Sequence, residues 1–203
     1  MQTAANNIYK QRQVDVDIAI LDTGISLTHP DLNVYRNVSV ENIAIGDDDQ
    51  GHGSHVAGVA AAKNNEIGVV GMAPGARLWA VKVCDADGAC KISDQIKGID
   101  YIIKHADEID VANLSFGGEG TNTALRTALI NSVLAGVAYA AAAGNDEKDA
   151  STVIPASYPE VMAVSAIVDK DGKCGGLSSP TSTGNDDTLA DFSNFGSVID
   201  IAA

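Results

Sequence analysis

The chain has few aromatic and few basic residues among its 203 positions. Phe, Trp and Tyr make up 4% of it, and 13 Lys and Arg stand against 27 Asp and Glu, for a formal net charge of −14. A surface with this excess of negative charge repels phosphate backbones, so we expect no nucleic-acid partner. No stretch approaches the roughly 18 consecutive apolar residues that span a bilayer, so we expect a soluble protein with no membrane partner.

Cysteine is also scarce, with three residues in the chain. Cys84 and Cys90 bracket a short segment that a disulfide could close, which would leave Cys174 over. An odd cysteine in a secreted chain suggests a partner outside the visible sequence. The alternative is three free thiols in a cytosolic protein.

What the chain does have is 45% hydrophobic residues and 20 glycines, enough for one substantial core. Small aliphatic residues suit strands that are buried on both faces beneath closely packed helices. Because short β-type runs alternate with helical patterns, we predict an α/β fold in three layers, with a mostly parallel central β-sheet flanked by helices. Much of the acid lies in loops, including Asp47 to Asp49 and Asp186 with Asp187, and we interpret it as solvated surface.

The hydrophobic patterns predict where the individual elements lie. Strands are expected at residues 16–21, 78–83, 111–114, 137–142 and 161–167, with Asp200 in a last short strand. Helices are expected at residues 53–62, at 93–105 with Ser93 as the cap, and at 122–135, ended by Gly136.

Polar residues that follow the predicted strands are the first candidates for chemistry, because ligands bind beyond the carboxyl ends of parallel strands. Asp22 follows the first strand, and a carboxylate there can orient a neutral histidine and stabilise its imidazolium form. His52 lies at a helix start within Gly51-His-Gly-Ser-His-Val-Ala-Gly58, where small residues let the helix pack tightly on the sheet. Asn145 follows another strand end, and its amide is a suitable donor for an oxyanion.

Two other types of site were weighed against this one. A zinc site would use His52 and His55, but these lie three apart with no carboxylate or cysteine at a matching spacing. We expect His55 to lie deeper than His52 and to serve packing or hydrogen bonding. An aspartic protease would need a second Asp-Thr-Gly tripeptide besides the one at Asp22, and the sequence has no second copy.

Taken in order, these segments resemble the Asp and His blocks of the subtilisin-like serine proteases. Further stretches resemble the same family along nearly the whole chain: Thr28-His-Pro-Asp-Leu32, Asn64-Asn-Glu-Ile-Gly-Val69, Gly71-Met-Ala-Pro74, Ala80-Val-Lys-Val83 and Asn113-Leu-Ser-Phe-Gly-Gly118. The resemblance implies a serine endopeptidase in which Asp22 orients the imidazole, His52 is the general base and Asn145 helps to form the oxyanion hole.

The family's Ser block is absent from the sequence. Ser115, Ser165 and Ser193 are not followed by the small-residue helix start that the nucleophile needs. We therefore interpret residues 1–203 as a single catalytic domain that is incomplete at its C-terminus, with the nucleophile on a following segment or companion chain. The alternative is a non-catalytic, protease-like module that binds peptides.

The resemblance also implies where a protein or peptide substrate binds. An extended peptide would lie between two edges and a pocket wall, and the small, mostly apolar wall predicts an uncharged side chain in the pocket. Glu160, or Asp146 with Glu147, could instead make a basic side chain acceptable. The residues concerned are Asp87, Gly88, Ala89 and Cys90 on one edge, Leu114, Ser115, Phe116 and Gly117 on the other, and Ala142, Ala143 and Gly144, which form the wall together with Ser115 to Gly117.

A structural calcium ion and secretion are further implications of the resemblance. The calcium ligands would be the Asp31 carboxylate and, from one loop, oxygen atoms of Lys63, Asn65, Ile67 and Val69, a hard donor set that suits this cation. Gln2 or Gln13 would supply the N-terminal ligand, and a loop closed without metal is the alternative. A propeptide inhibitor is a possible partner.

Overall fold

The structure is a computed structural model that describes residues 13–40 and 45–203. Gln2, one candidate for a calcium ligand, lies outside this range. The strands of the structure are β1 Asp17–Asp22, β2 Val34–Ser39, β3 Arg77–Lys82, β4 Val111–Leu114, β5 Gly118–Glu119, β6 Ala138–Ala142, β7 Val153–Ile154, β8 Met162–Ser165, β9 Ile167–Val168, β10 Thr188–Leu189 and β11 Ile201–Ala202. Its α-helices are α1 His52–Ala61, α2 Ile92–Ile103 and α3 Thr123–Leu134, and Ala150–Thr152 forms a 3₁₀ turn.

Seven of the strands form one parallel sheet in the order β11-β8-β6-β4-β1-β3-β2. The pairs β9 with β10 and β5 with β7 are antiparallel. β1 lies at the centre between β3 and β4, so its six residues are buried. The predicted α/β fold with a mostly parallel central sheet is therefore confirmed.

The two faces of the sheet carry separate cores because side chains alternate along each strand. Ile18 and Ile20 of β1 pack with Ala57 and Ala61 of α1 on one face. Leu21 faces the other way, in a larger core that includes residues of α2 and α3. These two layers of helices hold the carboxyl end of β1 in place, which is where the candidate chemistry lies.

Several predicted bounds differ from the structure. Helix α2 begins at Ile92, so Ser93 lies in its first turn and the predicted cap is wrong. The strand expected at 161–167 is divided into β8 and β9 around Ala166, whose N–H donates to Ser193 Oγ instead of to a neighbouring strand. Strand β2 was not predicted, because its sequence Val-Tyr-Arg-Asn-Val-Ser is largely polar and lies at the edge of the sheet.

Among the described residues, no helix is both long and apolar enough to cross a membrane.

Asp186 is buried, so the interpretation of the Asp186 region as solvated surface is wrong at that position. Its carboxylate accepts hydrogen bonds from the N–H groups of Lys170 and Ser178, which lower the pKa of Asp186 and tie down the loop.

The α3 core allows a matched test of the packing. Leu129 is fully buried, whereas Leu134 on the same helix is 81% exposed. We expect Leu129→Ala to lower the free energy of unfolding by about 2–5 kcal/mol, because it removes buried methyl groups and leaves a cavity. Leu134→Ala is the control and should change it by less than about 0.5 kcal/mol. Urea unfolding measures both, and equal losses would contradict the packing described.

Candidate active site

The pair of Asp22 and His52 is the centre of the site. Asp22 is the last residue of β1 and is 1% exposed, and His52 is the first residue of α1. Asp22 Oδ1 lies 2.7 Å from His52 Nδ1 and also accepts the Thr23 N–H at 2.7 Å. The imidazole is about half exposed, at 48%. A buried carboxylate thus holds one ring nitrogen while the other faces the solvent side.

Glycine at position 53 makes this close approach possible. A Cβ atom at Gly53 would lie 2.1 Å from the Gly24 carbonyl oxygen and 3.0 Å from Asp22 Cβ. Gly51, just before the helix, has a φ of 107°, a left-handed conformation that favours glycine. The two glycines that flank His52 therefore let the helix begin against the end of β1.

Asp48 fastens the same helix start to the strand end. Its Oδ1 accepts Thr23 Oγ1 at 2.8 Å and the Gly51 N–H at 2.8 Å, and its Oδ2 accepts the N–H and Oγ of Ser54 at 2.9 and 2.6 Å. Partial burial raises the pKa of Asp48, but the hydrogen bonds from Ser54, Gly51 and Gln50 outweigh it and bring the pKa from the ordinary 3.8 down to about 2. Thr23 Oγ1 in turn accepts the Gly53 N–H at 3.0 Å.

A buried lysine fixes the turn after Asp22. Lys82 is opposite Asp22 in the β1–β3 register and is 1% exposed. Its Nζ donates to the Thr23 carbonyl and to Asp49 Oδ1, each at 2.6 Å. An ammonium group at this depth needs such partners, and here they join the strand end to the loop that leads into α1. Lys82 was not singled out from the sequence. The interpretation of Asp47 to Asp49 as solvated surface is wrong for Asp48, which is half-buried and accepts hydrogen bonds from Thr23, Gly51 and Ser54.

Three adjoining clefts lie near the pair, and Asp22 and His52 line the first of them. The first, the histidine cleft, has a volume of about 470 Å³ and is lined by Asp22, His52, Asp87 to Cys90 and Ser115 to Gly117 among others. The second, the asparagine cleft, has a volume of about 240 Å³ and includes Asn145 and Lys148. The third, the terminal cleft, has a volume of about 260 Å³ and extends from Asn145 to Ala203. Ser115 lines all three, so His52 and Asn145 lie along one continuous depression.

Asn145 is exposed in a loop that a buried amide supports. Asn194 is fully buried; its Nδ2 donates to the Ala143 carbonyl at 2.9 Å, and its Oδ1 accepts the N–H groups of Asp146 and Lys148. A Cβ at Gly144, whose φ is 103°, would come within 2.4 Å of Asn194 Nδ2. The sequence analysis missed Asn194, since the only signal was its place in a turn after Ser193.

Most predicted substrate residues line these clefts, but not all do. Leu114 is buried in the core, and β4 is hydrogen-bonded to β1 and β6 on its two sides, so it does not form part of a free edge. Glu160 pairs with Arg126 at 3.0 Å and is not among the cleft-lining residues. Asp146 lines the asparagine cleft, and so do Glu119 and Lys148, which the sequence analysis missed.

His55 differs from the expectation as well. It is exposed on α1, on the same side of the helix as His52, because residues three apart share a helix face. The expectation that it lies deeper than His52 is wrong. Within the described residues, one group of three side chains lies close enough together to hold a metal ion. It consists of Asp169, Asp186 and Asp187 and includes neither histidine.

The structure contains the disulfide between Cys84 and Cys90, and Cys174 is exposed. The disulfide closes the loop that supplies one wall of the histidine cleft. Asp85 Oδ1 accepts the N–H groups of Asp87 and Ala89 within this loop. The wall is therefore held by a covalent bond and by turn hydrogen bonds.

The residues predicted as calcium ligands also come together. Asp31 is 3% exposed, and its Oδ1 accepts Asn65 Nδ2 at 2.7 Å. Asn65 Oδ1 accepts the Ile67 N–H at 2.9 Å, and a Cβ at Gly68 would lie 2.8 Å from Asp31 Oδ2. Lys63 turns its Nζ away to the Pro30 carbonyl, so it does not neutralise this carboxylate. A buried carboxylate beside a side-chain amide, with no lysine or arginine paired to it among the described residues, is a donor set that fits a hard cation.

The comparisons with known proteins show the family of the chain. The model of the subtilase family matches residues 14–203. The chain belongs to the subtilase family. It is 39% identical over 194 residues to subtilisin NAT of Bacillus subtilis subsp. natto, covering 93% of this chain and 46% of that protein. It is 43% identical over 158 residues to a subtilisin of Bacillus pumilus, covering 75% of this chain and 57% of that protein.

A solved structure gives the same result for the fold of this subtilase chain. A cold-adapted subtilisin-like serine proteinase superposes with a TM-score of 0.76 at 30% identity, covering 93% of this chain and 62% of that one. The chain spans about half the length of the first curated relatives it matches. The fold and family are thus shown for residues 14–203.

The contribution of Asp48 to the free energy of unfolding can be tested by its dependence on pH. Its pKa is lowered on folding, so its carboxylate contributes stability above pH 3.8 that is lost as the pH falls toward 2. Because the group is only partly buried, we discount that contribution for screening to about 1 kcal/mol. Asp48→Asn should therefore unfold more easily than wild type at pH 5, by about that amount, and the gap should close below pH 3 in urea unfolding. Asp107→Asn, at an exposed carboxylate, is the control, and an unchanged gap would contradict the account.

Proposed function

We propose that the protein is a serine endopeptidase that hydrolyses peptide bonds with Asp22 and His52 as two members of its triad. The observation that carries the proposal is the 2.7 Å hydrogen bond between the buried Asp22 carboxylate and Nδ1 of the half-exposed His52. It fixes the tautomer in which Nδ1 bears the proton and Nε2 is the base. Among the described residues, no group is hydrogen-bonded to Nε2, which leaves it available to a serine hydroxyl.

The chemistry follows from these positions. The serine Oγ attacks the carbonyl carbon of the substrate, and its proton passes to His52 Nε2. Asp22 stabilises the imidazolium that results, and the Asn145 amide donates to the oxygen that gains negative charge. The same proton is then delivered to the leaving amine, and a water molecule releases the acyl group by the reverse roles.

The serine is supplied by a segment or companion chain that follows Ala203. Of the candidates present, Ser193 is buried and its hydroxyl is engaged with Ala166 and Asn194, while Ser165 is buried in β8. Ser115 Oγ accepts Asn113 Nδ2 at 2.8 Å. Ser115 lines the histidine cleft, but within the described residues no hydrogen bond joins its hydroxyl, or that of Ser165 or Ser193, to His52.

Exposed apolar side chains support such a segment. Val59 on α1 and Met72 beside it are each 59% exposed, and Ile201 on β11 is 51% exposed. Val59 and Met72 are adjacent, because the Met72 N–H donates to the Val59 carbonyl, and a segment packed there would cover both side chains. The share of the relatives' length that the chain spans is consistent with this.

The substrate is a protein or peptide that binds extended along the depression between the histidine cleft and the asparagine cleft. A propeptide that occupies the same groove is the expected inhibitor. We further propose that the protein is secreted, because the Cys84–Cys90 disulfide persists in an oxidising compartment.

The test is hydrolysis of an internally quenched peptide by the full-length protein. Removing the base removes proton transfer, so His52→Ala should lower kcat by at least about 10⁴-fold, as loss of a triad member does in a subtilisin. His55→Ala is the matched control on the same exposed helix face and should retain activity within about threefold of wild type.

Other outcomes would identify a different function. Equal loss in the two histidine variants, together with inhibition by a chelator of zinc, would favour a zinc hydrolase. Peptide binding without hydrolysis by the wild-type protein would favour the non-catalytic module.

A structural calcium ion belongs to the same proposal. Asp31 would hold it with the Asn65 amide oxygen and the carbonyl oxygens of Lys63, Ile67 and Val69. Bound there, the ion would neutralise the buried carboxylate and clamp the loop at 63–69 onto the segment that contains Asp31. Gln13 is exposed and contacts Gly75 instead, and it remains a candidate for the N-terminal ligand only as a prediction.

Calcium should therefore raise thermal stability. At a concentration about 100 times the Kd, the ion should raise the unfolding midpoint of the full-length protein by about 5–10 °C, since it binds only the folded state. Asp31→Asn should abolish this increase, while the exposed-site variant Asp107→Asn should keep it. A calcium-independent midpoint in the wild-type protein, measured by calorimetry, would mean that the loop closes without metal.

A further inference from the structure

Three charged side chains meet at the wall of the asparagine cleft. Lys148 Nζ lies 2.8 Å from Glu119 Oε1 and 3.1 Å from Asp146 Oδ2. The rest of the lining residues of that cleft are uncharged, and they include Ser115, Phe116 and Asn145. One ammonium group thus bridges two carboxylates inside a small depression whose remaining surface is neutral.

The backbone on both sides of this bridge is held firmly. The Lys148 N–H donates to the buried Asn194 Oδ1 at 3.2 Å, and the Lys148 carbonyl accepts the Phe195 N–H at 3.0 Å. Glu119 lies on β5, which pairs with β7. The charges are exposed at their tips, but their positions along the wall are fixed by the fold. The two carboxylates also raise the pKa of Lys148, which therefore stays protonated at neutral pH.

The position of Asn145 decides which part of a substrate enters this cleft. The carbonyl oxygen that gains charge must lie at the Asn145 amide. This carbonyl belongs to the substrate residue on the amino side of the cleaved bond. The side chain of that residue then lies beside Asn145 and next to Lys148. This step depends on the proposed peptidase function.

We propose that Lys148 determines specificity at this position. By bridging Glu119 and Asp146, Lys148 lowers the net charge of this group from −2 to −1 and engages the oxygens that a basic side chain would need, which favours an uncharged side chain in the cleft. A substrate lysine or arginine has to compete with Lys148 for the same oxygens, and like charges repel at this distance. A neutral side chain leaves the bridge intact.

The experiment compares kcat/KM of the full-length protein for two peptides that differ only in having Phe or Lys before the cleaved bond. The wild-type protein should prefer the Phe peptide. Lys148→Met should raise the Lys-to-Phe ratio by about tenfold, because it leaves two uncompensated carboxylates in the cleft. Lys97→Met is the control, since Lys97 also pairs with a carboxylate, Asp94 on α2, and neither residue lines any of the three clefts.

A second variant keeps the test decisive if Lys148→Met does not fold. Glu119→Gln removes a carboxylate from a different element and should lower the same ratio by about threefold or more. Hydrolysis of both peptides with ratios that do not change in either variant would overturn the specificity proposal alone. No hydrolysis of either peptide by the wild-type protein would overturn the proposed function and this inference with it.

Discussion

The close approach of helix α1 to the end of strand β1 is the constraint on which the rest of the site depends. It brings the buried Asp22 carboxylate to 2.7 Å from the half-exposed His52 imidazole. The approach is sterically possible only because position 53 carries no Cβ, which would collide with the Gly24 carbonyl. The helix side of the contact rests on Ala57 and Ala61, whose small side chains let α1 lie close to the sheet.

Around this contact, buried and partly buried polar groups hold the loops in place. Asp48 accepts hydrogen bonds from the turn after β1 and from the first turn of α1, and Lys82 joins the same turn to Asp49. Asn194 holds the loop that carries Asn145 through hydrogen bonds to Ala143 and Asp146. Each of these groups has hydrogen-bond partners, whereas the buried Asp22 Oδ2 has none among the described residues. These groups fix where Asp22, His52 and Asn145 lie.

Much of this arrangement could be predicted from the sequence. Strand ends of a parallel sheet meet at one edge, so Asp22 and the residues near Asn145 had to lie on the same side of the molecule. The Gly-His-Gly pattern indicated a tight helix start at His52, and the structure shows the reason. The strand at 111–114 was predicted with its observed bounds because its apolar run is short and bounded by polar residues.

What could not be predicted depends on which neighbours a side chain finds. His55 was expected to lie deep, yet no element covers that face of α1 in the described residues. Leu114 was assigned to a substrate edge, but pairing on both sides of β4 buries it. Edge strand β2 lacks the apolar run that marks a central strand. Lys148 and Glu119 are distant in sequence and meet only because β5 and the Asn145 loop converge, so no spacing could indicate their bridge.

The central claim is that the hydrogen-bonded Asp22 and His52 activate a serine. The most direct measurement is reaction of the full-length protein with a fluorophosphonate, followed by mass-spectrometric mapping of the modified residue. The account predicts a single modified serine on the segment beyond Ala203, and no modification when His52 is replaced by alanine. Modification of Ser115, Ser165 or Ser193, or labelling that does not depend on His52, would contradict it.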